Sequence, residues 1–300
     1  SSDLLPARGA RVAGAMQGGL ARGWRLGAAA LAMALAVSAA PSQAPAQPLA
    51  EFLRLCSSPD TPPRDALRFC RMALDSGALT PEQAAQVHYN IGLSNRELGR
   101  FGAAVSAHGE ALALDPGLTA ALVSRGQAHE AMGQAAEARA DYDRAIETAG
   151  RDAGAYLARG TLSLREGRFG AAIDDLTRAA RLERDWAAPR FERGRAYYGQ
   201  GDYGLAERDF TAVIGLDPRD ATAWLNRAET RAAMGKEAAI NDFDRAVMLA
   251  PEWGAARYAR GRYLERIGEE ERANADFLRA YQLGHSAPGL IERVQRLSGG

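Results

Sequence analysis

The chain has 300 residues, and its 37 lysine and arginine residues equal its 37 aspartate and glutamate residues, so the formal net charge is zero. This balance gives no overall positive excess and argues against nucleic acid or an acidic membrane surface as the partner of the whole chain. A length of 300 residues would ordinarily suggest two domains, so the internal pattern must decide the count.

The first predicted element is an apolar run near the amino terminus. Arg22 and Arg25 precede the apolar residues 26–37, and a stretch rich in small residues and proline follows. This order is typical of a secretory signal peptide, and the run is shorter than the ~20 residues that a membrane span needs. Removal of residues 1–46 after an A-x-A site at Ala44–Ala46 predicts export to the bacterial periplasm, with no stable membrane insertion afterwards. An uncleaved inner-membrane tether is the alternative.

Residues 47–84 are predicted to form two short helices joined by a proline-containing turn. Both cysteines of the chain, Cys56 and Cys70, lie in this segment. A pair of cysteines fits an exported protein, and we expect a disulfide that ties the two helices together. A metal-binding pair or two free buried thiols are the alternatives, and the absence of an adjacent histidine argues against the metal.

A 34-residue interval organises residues 85–287. With Ala85 as position 1 of the first unit, position 15 is always glycine, position 20 is always alanine, and position 8 is glycine except for Ala228 in the fifth unit. Small residues at positions 8 and 20 let two helices approach closely, and the glycine at position 15 suits the end of a helix. Position 24 carries an aromatic or bulky residue, namely His108, Tyr142, Leu176, Phe210, Phe243 and Phe277.

This pattern of small and aromatic residues at a period of 34 resembles the tetratricopeptide repeat. The resemblance implies an all-α fold, a right-handed superhelical solenoid of antiparallel helix pairs that forms one elongated domain. The six expected units are 85–118, 119–152, 153–186, 187–220, 221–253 and 254–287, of which the fifth has lost one residue after Gly235.

Both ends of the array are predicted to be capped. Segment 47–84 places Ala66, Cys70 and Ala73 at the spacing of positions 20, 24 and 27, so it looks like a degenerate repeat. Residues 288–300 should form a capping helix, because Leu290, Ile291, Val294 and Leu297 recur on one helical face.

Arginine at position 7 accompanies aspartate at position 23 in units two to six, and the first unit lacks both. We expect an ion pair between the two helices of each unit, since a half-buried arginine needs a partner. A ladder of arginines that binds an acidic partner is the alternative. The predicted pairs are Arg125–Asp141, Arg159–Asp175, Arg193–Asp209, Arg227–Asp242 and Arg260–Asp276.

The resemblance also implies a concave groove lined by positions 2, 5, 9 and 12 of each first helix, which binds a protein or peptide. Part of the position 5 aromatics is expected to pack between helices instead. The lysine and asparagine clamp by which one subgroup of the family holds chaperone tails is absent. The candidate groove residues are Tyr89, Arg96, Gln127, Glu130, Phe191, Arg195, Tyr198, Glu229, Tyr258, Arg262 and Glu265, with the centre placed at Arg195, Tyr198, Tyr258 and Arg262.

No catalytic constellation, metal site or cofactor is predicted. Residues 199–204 match G-x-G-x-x-G, but they occupy the turn of the fourth unit and no strand pattern precedes them, so a nucleotide site is not expected. The predicted function is a non-catalytic periplasmic scaffold for protein–protein interaction. A self-assembling structural protein (a homo-oligomer), a cytoplasmic or membrane-tethered adaptor, a glycan-binding protein and an enzyme are the alternatives.

Overall fold

The computed structural model describes residues 46–298, which form fifteen α-helices and no β-strand. The predicted signal peptide lies outside the described residues, apart from Ala46. The helices are α1 (Ala46–Ser57), α2 (Pro63–Asp75), α3 (Pro81–Glu97), α4 (Phe101–Leu114), α5 (Thr119–Ala131), α6 (Ala135–Thr148), α7 (Ala153–Arg165), α8 (Phe169–Leu182), α9 (Ala187–Gln200), α10 (Tyr203–Leu216), α11 (Ala221–Ala233), α12 (Ala239–Leu249), α13 (Gly254–Arg266), α14 (Glu270–Gln282) and α15 (Leu290–Ser298).

The helices pack as consecutive pairs along one axis. Helices α3 to α14 form six pairs, α1 and α2 form a pair before them, and α15 packs on α14. The first helix of each pair packs against the first helix of the next, whereas successive second helices within residues 46–298 lie farther apart, although the side chains of Arg272 on α14 and Asp244 on α12 approach to 3.9 Å. The first helices therefore line the inner surface of the array. The predicted all-α superhelical solenoid is confirmed.

The glycine at position 8 is explained by the side chain at position 24. A Cβ atom on Gly126 would lie 2.5 Å from the ring of Tyr142, and one on Gly194 would lie 2.9 Å from the ring of Phe210. Both distances are shorter than non-bonded atoms tolerate, so in these two pairs the glycine lets the helices close over the ring. At position 15, Gly201 ends α9 with φ of 90°, a left-handed conformation that side chains disfavour.

One helix begins inside the segment assigned to the cap, and another is shorter than its equivalents in the other repeats. Helix α3 begins at Pro81, inside the segment assigned to the cap, because Thr80 and Gln83 form a capping box and proline occupies the first turn. Helix α12 has 11 residues, against 14 in α10, and begins only at Ala239. The residue lost after Gly235 has thus removed the first turn of this helix.

The position 7 arginines of units three to six each join three helices, whereas Arg125 joins the two helices of its own pair. Arg159 donates from Nε and Nη2 to the carboxylate of Asp175, at 2.7 and 2.8 Å, and from Nη1 to Asp143 of the preceding pair, at 2.6 Å. Arg193 repeats the arrangement with Asp209 and, across the pair boundary, with Thr177. The other three pairs, Arg125–Asp141, Arg227–Asp242 and Arg260–Asp276, have the same two-pronged geometry.

This geometry speaks against the alternative in which the arginines bind an acidic partner. Their side chains are only 10% to 24% exposed, and each is already engaged by an aspartate that is buried to at least 91%. An incoming carboxylate would have to displace a preorganised bidentate partner. The pairs act within the solenoid, where they fix each helix pair against its neighbour.

Cys56 and Cys70 form a disulfide that joins α1 to α2. Both residues are buried, and they pack with Val87 of α3. The first pair of a solenoid has a neighbour on one side only, so a covalent link compensates for the contacts that it lacks.

Replacing both cysteines by alanine should lower the stability of this end by about 3 kcal/mol, because the bridge closes a loop of roughly 15 residues. Hydrogen exchange should speed up in α1 and α2, while α9 to α14 keep their protection. Reductant should have the same effect on the unmodified chain and none on the double variant. Unchanged exchange in α1 and α2 would show that packing alone holds the cap.

Candidate functional site

The inner surface carries two kinds of side chain. Position 5 of each first helix points toward the second helix of its own pair, and positions 9 and 12 face the groove. The two kinds of side chain differ in burial. At least 91% of the surface is buried for each of five position 5 residues, namely Tyr89, Val123, Leu157, Phe191 and Leu225.

Tyr89 and Phe191 therefore belong to the core, and the prediction that they line the groove is wrong for these two residues. The ring centroid of Tyr89 lies 5.6 Å from that of His108, and Phe191 packs edge-on against Phe210 at 5.7 Å. Tyr258 makes the equivalent contact with Phe277, at 5.7 Å, but stays partly exposed. An aromatic side chain at position 5 is long enough to reach the ring at position 24, where burial stabilises it.

The amino-terminal part of the groove is held by polar contacts between pairs. Arg96 of α3 donates to the side chain of Gln127 on α5. The hydroxyl of Tyr142 donates to Glu130 at 2.5 Å, and Arg165 of α7 forms an ion pair with the same carboxylate. Burial raises the pKa of Glu130 despite these partners. These contacts link the first three repeats along this part of the groove.

The middle of the groove contains an acid that the repeat pattern did not single out. Glu192 at position 6 of α9 is only 5% exposed, and Arg195 at position 9 forms an ion pair with it at 2.9 Å. Burial raises the pKa of Glu192. Positions 6 and 13 lie one turn before and after position 9 on the same helical face, so the 3.6-residue period could have identified Glu192, Arg165 and Arg266.

Glu229 of α11 differs from the other groove acids because no described arginine or lysine forms an ion pair with it. Glu229 as a whole is partly exposed. The protein nevertheless surrounds its carboxylate, and this burial raises the pKa of the carboxylate to about 7. Tyr198 of α9 lies near it, and burial together with the charge of Glu229 raises the pKa of that phenol to about 12. Tyr203 packs on Tyr198 with ring centroids 5.3 Å apart. The groove thus holds an uncompensated carboxylate beside an aromatic pair.

The carboxy-terminal end of the groove is more open. Arg262 and Glu265 of α13 are exposed, and Arg293 of α15 forms an ion pair with Glu265. Arg266 donates to the carbonyl of Ala232 at 2.9 Å and lies over the ring of Tyr263. The capping helix therefore contributes a side chain to the groove edge.

Other kinds of site find no support in residues 46–298. No group of three or more histidine, cysteine, aspartate or glutamate side chains is arranged to hold a metal ion. None of the described helices is long and apolar enough to cross a membrane. The G-x-G-x-x-G stretch forms the α9–α10 turn, where a Cβ atom on Gly199 would lie 2.5 Å from the ring of Phe169, so its first glycine serves helix packing.

Comparison with known proteins agrees with this architecture. Tetratricopeptide repeat families match residues 85–117, 123–189 and 191–236. Together with the six helix pairs, these matches place the chain in the tetratricopeptide repeat family, whose repeats are protein–protein interaction scaffolds.

The similar proteins differ widely in length and setting. The DnaJ homolog subfamily C member 3 of Rattus norvegicus is 36% identical over 90 residues, which are 30% of this chain and 18% of that relative. A tetratricopeptide repeat protein from Parabacteroides merdae has a TM-score of 0.62 at 21% identity, covering 83% of this chain and 98% of its own. YrrB, a repeat protein with an unusual peptide-binding site, has a TM-score of 0.52 at 22% identity, covering 64% and 97%. At these identities the structures show the fold alone.

Proposed function

We propose that the protein is a non-catalytic scaffold that binds an extended or helical segment of a partner protein in its concave groove. The family supports the scaffold role, and the peptide-binding site named for YrrB supports a groove of this kind. The arginine–aspartate hydrogen bonds and the disulfide fix neighbouring helices against one another. The groove therefore has its shape before a partner binds, so little conformational entropy is lost on binding.

The observation that carries the proposal is the state of Glu229. A carboxylate enclosed by protein without an opposite charge is costly, and a bound cation would relieve that cost. The aromatic ring of Tyr198 near it, which packs against Tyr203, suits the aliphatic stem of a long side chain. The partner segment is therefore proposed to place a lysine or arginine at Glu229.

Position-specific photo-crosslinking tests the groove as the binding face. A photoreactive amino acid at Arg262 should capture a discrete partner in cells of the native host, while the same amino acid at Arg208 on the outer helix α10 should not. Equal capture from both positions would place binding elsewhere. The crosslinked peptide, identified by mass spectrometry, then supplies a defined ligand.

Glu229→Gln should weaken binding of that peptide about ten-fold, because a charge-assisted contact of roughly 1.5 kcal/mol is lost. Since the free carboxylate has a pKa of about 7 and the cation binds its charged form more tightly, affinity should rise about five-fold between roughly pH 6 and pH 8. Titration calorimetry of both proteins at several pH values measures the effect. The control Glu110→Gln removes the same charge from the outer helix α4 and should change neither value. A pH-independent affinity that survives Glu229→Gln would refute the cationic anchor.

The periplasm is the proposed location. The signal-like residues at the amino terminus support it, and so does the Cys56–Cys70 disulfide, since such bonds persist in oxidising compartments. The intact mass of the protein recovered from the native periplasm, with and without reductant, provides the test. A chain that starts near Gln47 and gains two mass units on reduction is expected. An uncleaved chain with free thiols would favour a cytoplasmic or membrane-tethered adaptor.

Self-association is a second candidate, favoured by apolar side chains at the carboxy-terminal end. Leu278 and Tyr281 on α14 and Ile291 and Leu297 on α15 are 39% to 49% exposed. Light scattering of residues 47–300 over a range of concentrations separates the two roles. A monomer supports the adaptor, whereas a dimer that Tyr281→Ser disperses supports self-assembly through this end.

A further inference from the structure

A pocket of about 340 Å³ lies at the amino-terminal end of the array, away from the groove acids described above. Helix α2 and the turn between α3 and α4 line this open pocket. Its lining comprises four arginines, one aspartate and two apolar residues, namely Arg64, Arg68, Arg71, Arg100, Asp75, Leu67 and Met72.

The concentration of arginines has a simple geometric origin. Arg64, Arg68 and Arg71 are spaced at i, i+4 and i+7, so they share one face of α2. Arg100, the residue before the first turn of α4, approaches that face from the first complete repeat. Residues far apart in sequence therefore bring four guanidinium groups to one volume.

These arginines are not engaged by acids of the protein. All four are exposed, and none forms an ion pair with another residue of the described chain; Arg68 only lies beside the ring of Phe69, at 5.0 Å. The position 7 arginines differ from them, because each donates two hydrogen bonds to the carboxylate of one aspartate. Asp75 is the one acid in the lining, so positive charge dominates the pocket.

The pocket has a small apolar floor, and its arginines remain exposed to water. Leu67 is buried beneath the guanidinium groups, and Met72 closes part of the rim with 38% of its surface exposed. Most of the lining is charged and open to water, so its attraction for an anion rests on the four arginines gathered around one pocket and is screened by salt. Four arginines without acidic partners also repel one another, and an anion that binds among them removes that repulsion.

We propose that this pocket is an anion-binding site for a phosphate group. Guanidinium groups match phosphate oxygens in bidentate geometry, and phosphate carries up to two negative charges in a small volume that several arginines can reach together. A single carboxylate offers half that charge. The phosphate can belong to a soluble molecule or to the headgroup of an anionic lipid, which share this chemistry.

Two probes distinguish the sources. Inorganic pyrophosphate is titrated into residues 47–300 and followed by calorimetry at low ionic strength. Sedimentation with vesicles containing phosphatidylglycerol and phosphatidylcholine, against vesicles of phosphatidylcholine alone, tests the lipid. Binding of pyrophosphate alone assigns a soluble ligand, and binding of the anionic vesicles assigns a lipid surface; either supports the site. Binding should weaken between about 50 and 500 mM salt, as expected for exposed charges.

The double variant Arg68→Gln with Arg71→Gln should lose binding at least ten-fold, since each removed guanidinium takes charge-assisted hydrogen bonds with it. The control Arg181→Gln with Arg208→Gln removes two exposed, unpaired arginines from α8 and α10 and should bind like the original. Equal losses in both variants would reduce the effect to net charge and overturn the site. So would failure of the unmodified protein to bind either probe, or preference for a glutamate-rich peptide over both. Circular dichroism confirms that each variant is folded, and groove binding should be unaffected.

Discussion

Asp209→Ala should lower the free energy of unfolding by about 3 kcal/mol, because it leaves Arg193 largely enclosed by protein without its carboxylate. Arg193 has only 19% of its side chain exposed and donates twice to Asp209, at 2.7 Å each. Thr177 of the preceding pair is its remaining side-chain hydrogen-bond partner. The loss should appear in urea denaturation, and hydrogen exchange should localise it to α8 to α11.

The matched control comes from the chain itself. The first repeat has Ile91 and Ala107 where the others have arginine and aspartate, and Ala107 is 7% exposed. Arg193→Ile combined with Asp209→Ala copies this natural solution and leaves no unpaired charge. The double variant should lose only about 1 kcal/mol, less than the single one. Equal losses would show that Arg193 does not depend on Asp209 for its stability.

The second large effect concerns His108, which should make the protein sensitive to acid. His108 occupies position 24 of the first repeat, is fully buried, and has no hydrogen-bond partner for either ring nitrogen. Burial, reinforced by the charges of Arg96 and Arg125, lowers its pKa to about 3. The unfolded chain takes up a proton near pH 6.5, which the folded chain resists, so stability is full above that pH and falls as the pH drops toward 3.

The expected loss is about 2.5 kcal/mol between roughly pH 7 and pH 4.5, from linkage with these two pKa values. His108→Phe should abolish this part of the pH dependence, because the other ionisable groups are unchanged. Phenylalanine is the natural residue at the equivalent Phe210 and Phe277, so the pocket accepts it, and stability at pH 7 should rise by about 1 kcal/mol. Urea midpoints across the pH range measure the difference. Parallel pH curves for the two proteins would contradict the assignment.

Features that depend on local spacing could be predicted from the sequence. The glycine at position 8 and the bulky side chain at position 24 recur together in five of the six units because the glycine makes room for that side chain, as Gly194 does for Phe210. Arg193 and Asp209 recur in phase because a charge at that depth requires its partner. Repetition made both patterns visible, since five or six copies share one geometry.

The groove residues were predicted less accurately, because a side chain on the inner side of its helix can still be buried in the core. Position 5 lies on the inner side of its helix, yet Tyr89 and Phe191 are large enough to reach the ring at position 24 and become buried. Glu192 was missed since its position carries a different residue in the other repeats, so repetition gave no signal there.

The sequence by itself determined the repeat, the helix pairs and the residues that hold them together, because these follow from contacts that recur every 34 residues. Tertiary structure alone decided which charges remain without a partner. Glu229 is enclosed without a cation, and Arg64, Arg68, Arg71 and Arg100 line one pocket without forming an ion pair in the described chain. Whether a charged side chain finds a partner depends on the distances between neighbouring helix pairs and on how deeply the side chain is buried. Neither the distances nor the burial can be read from the 34-residue period of the sequence.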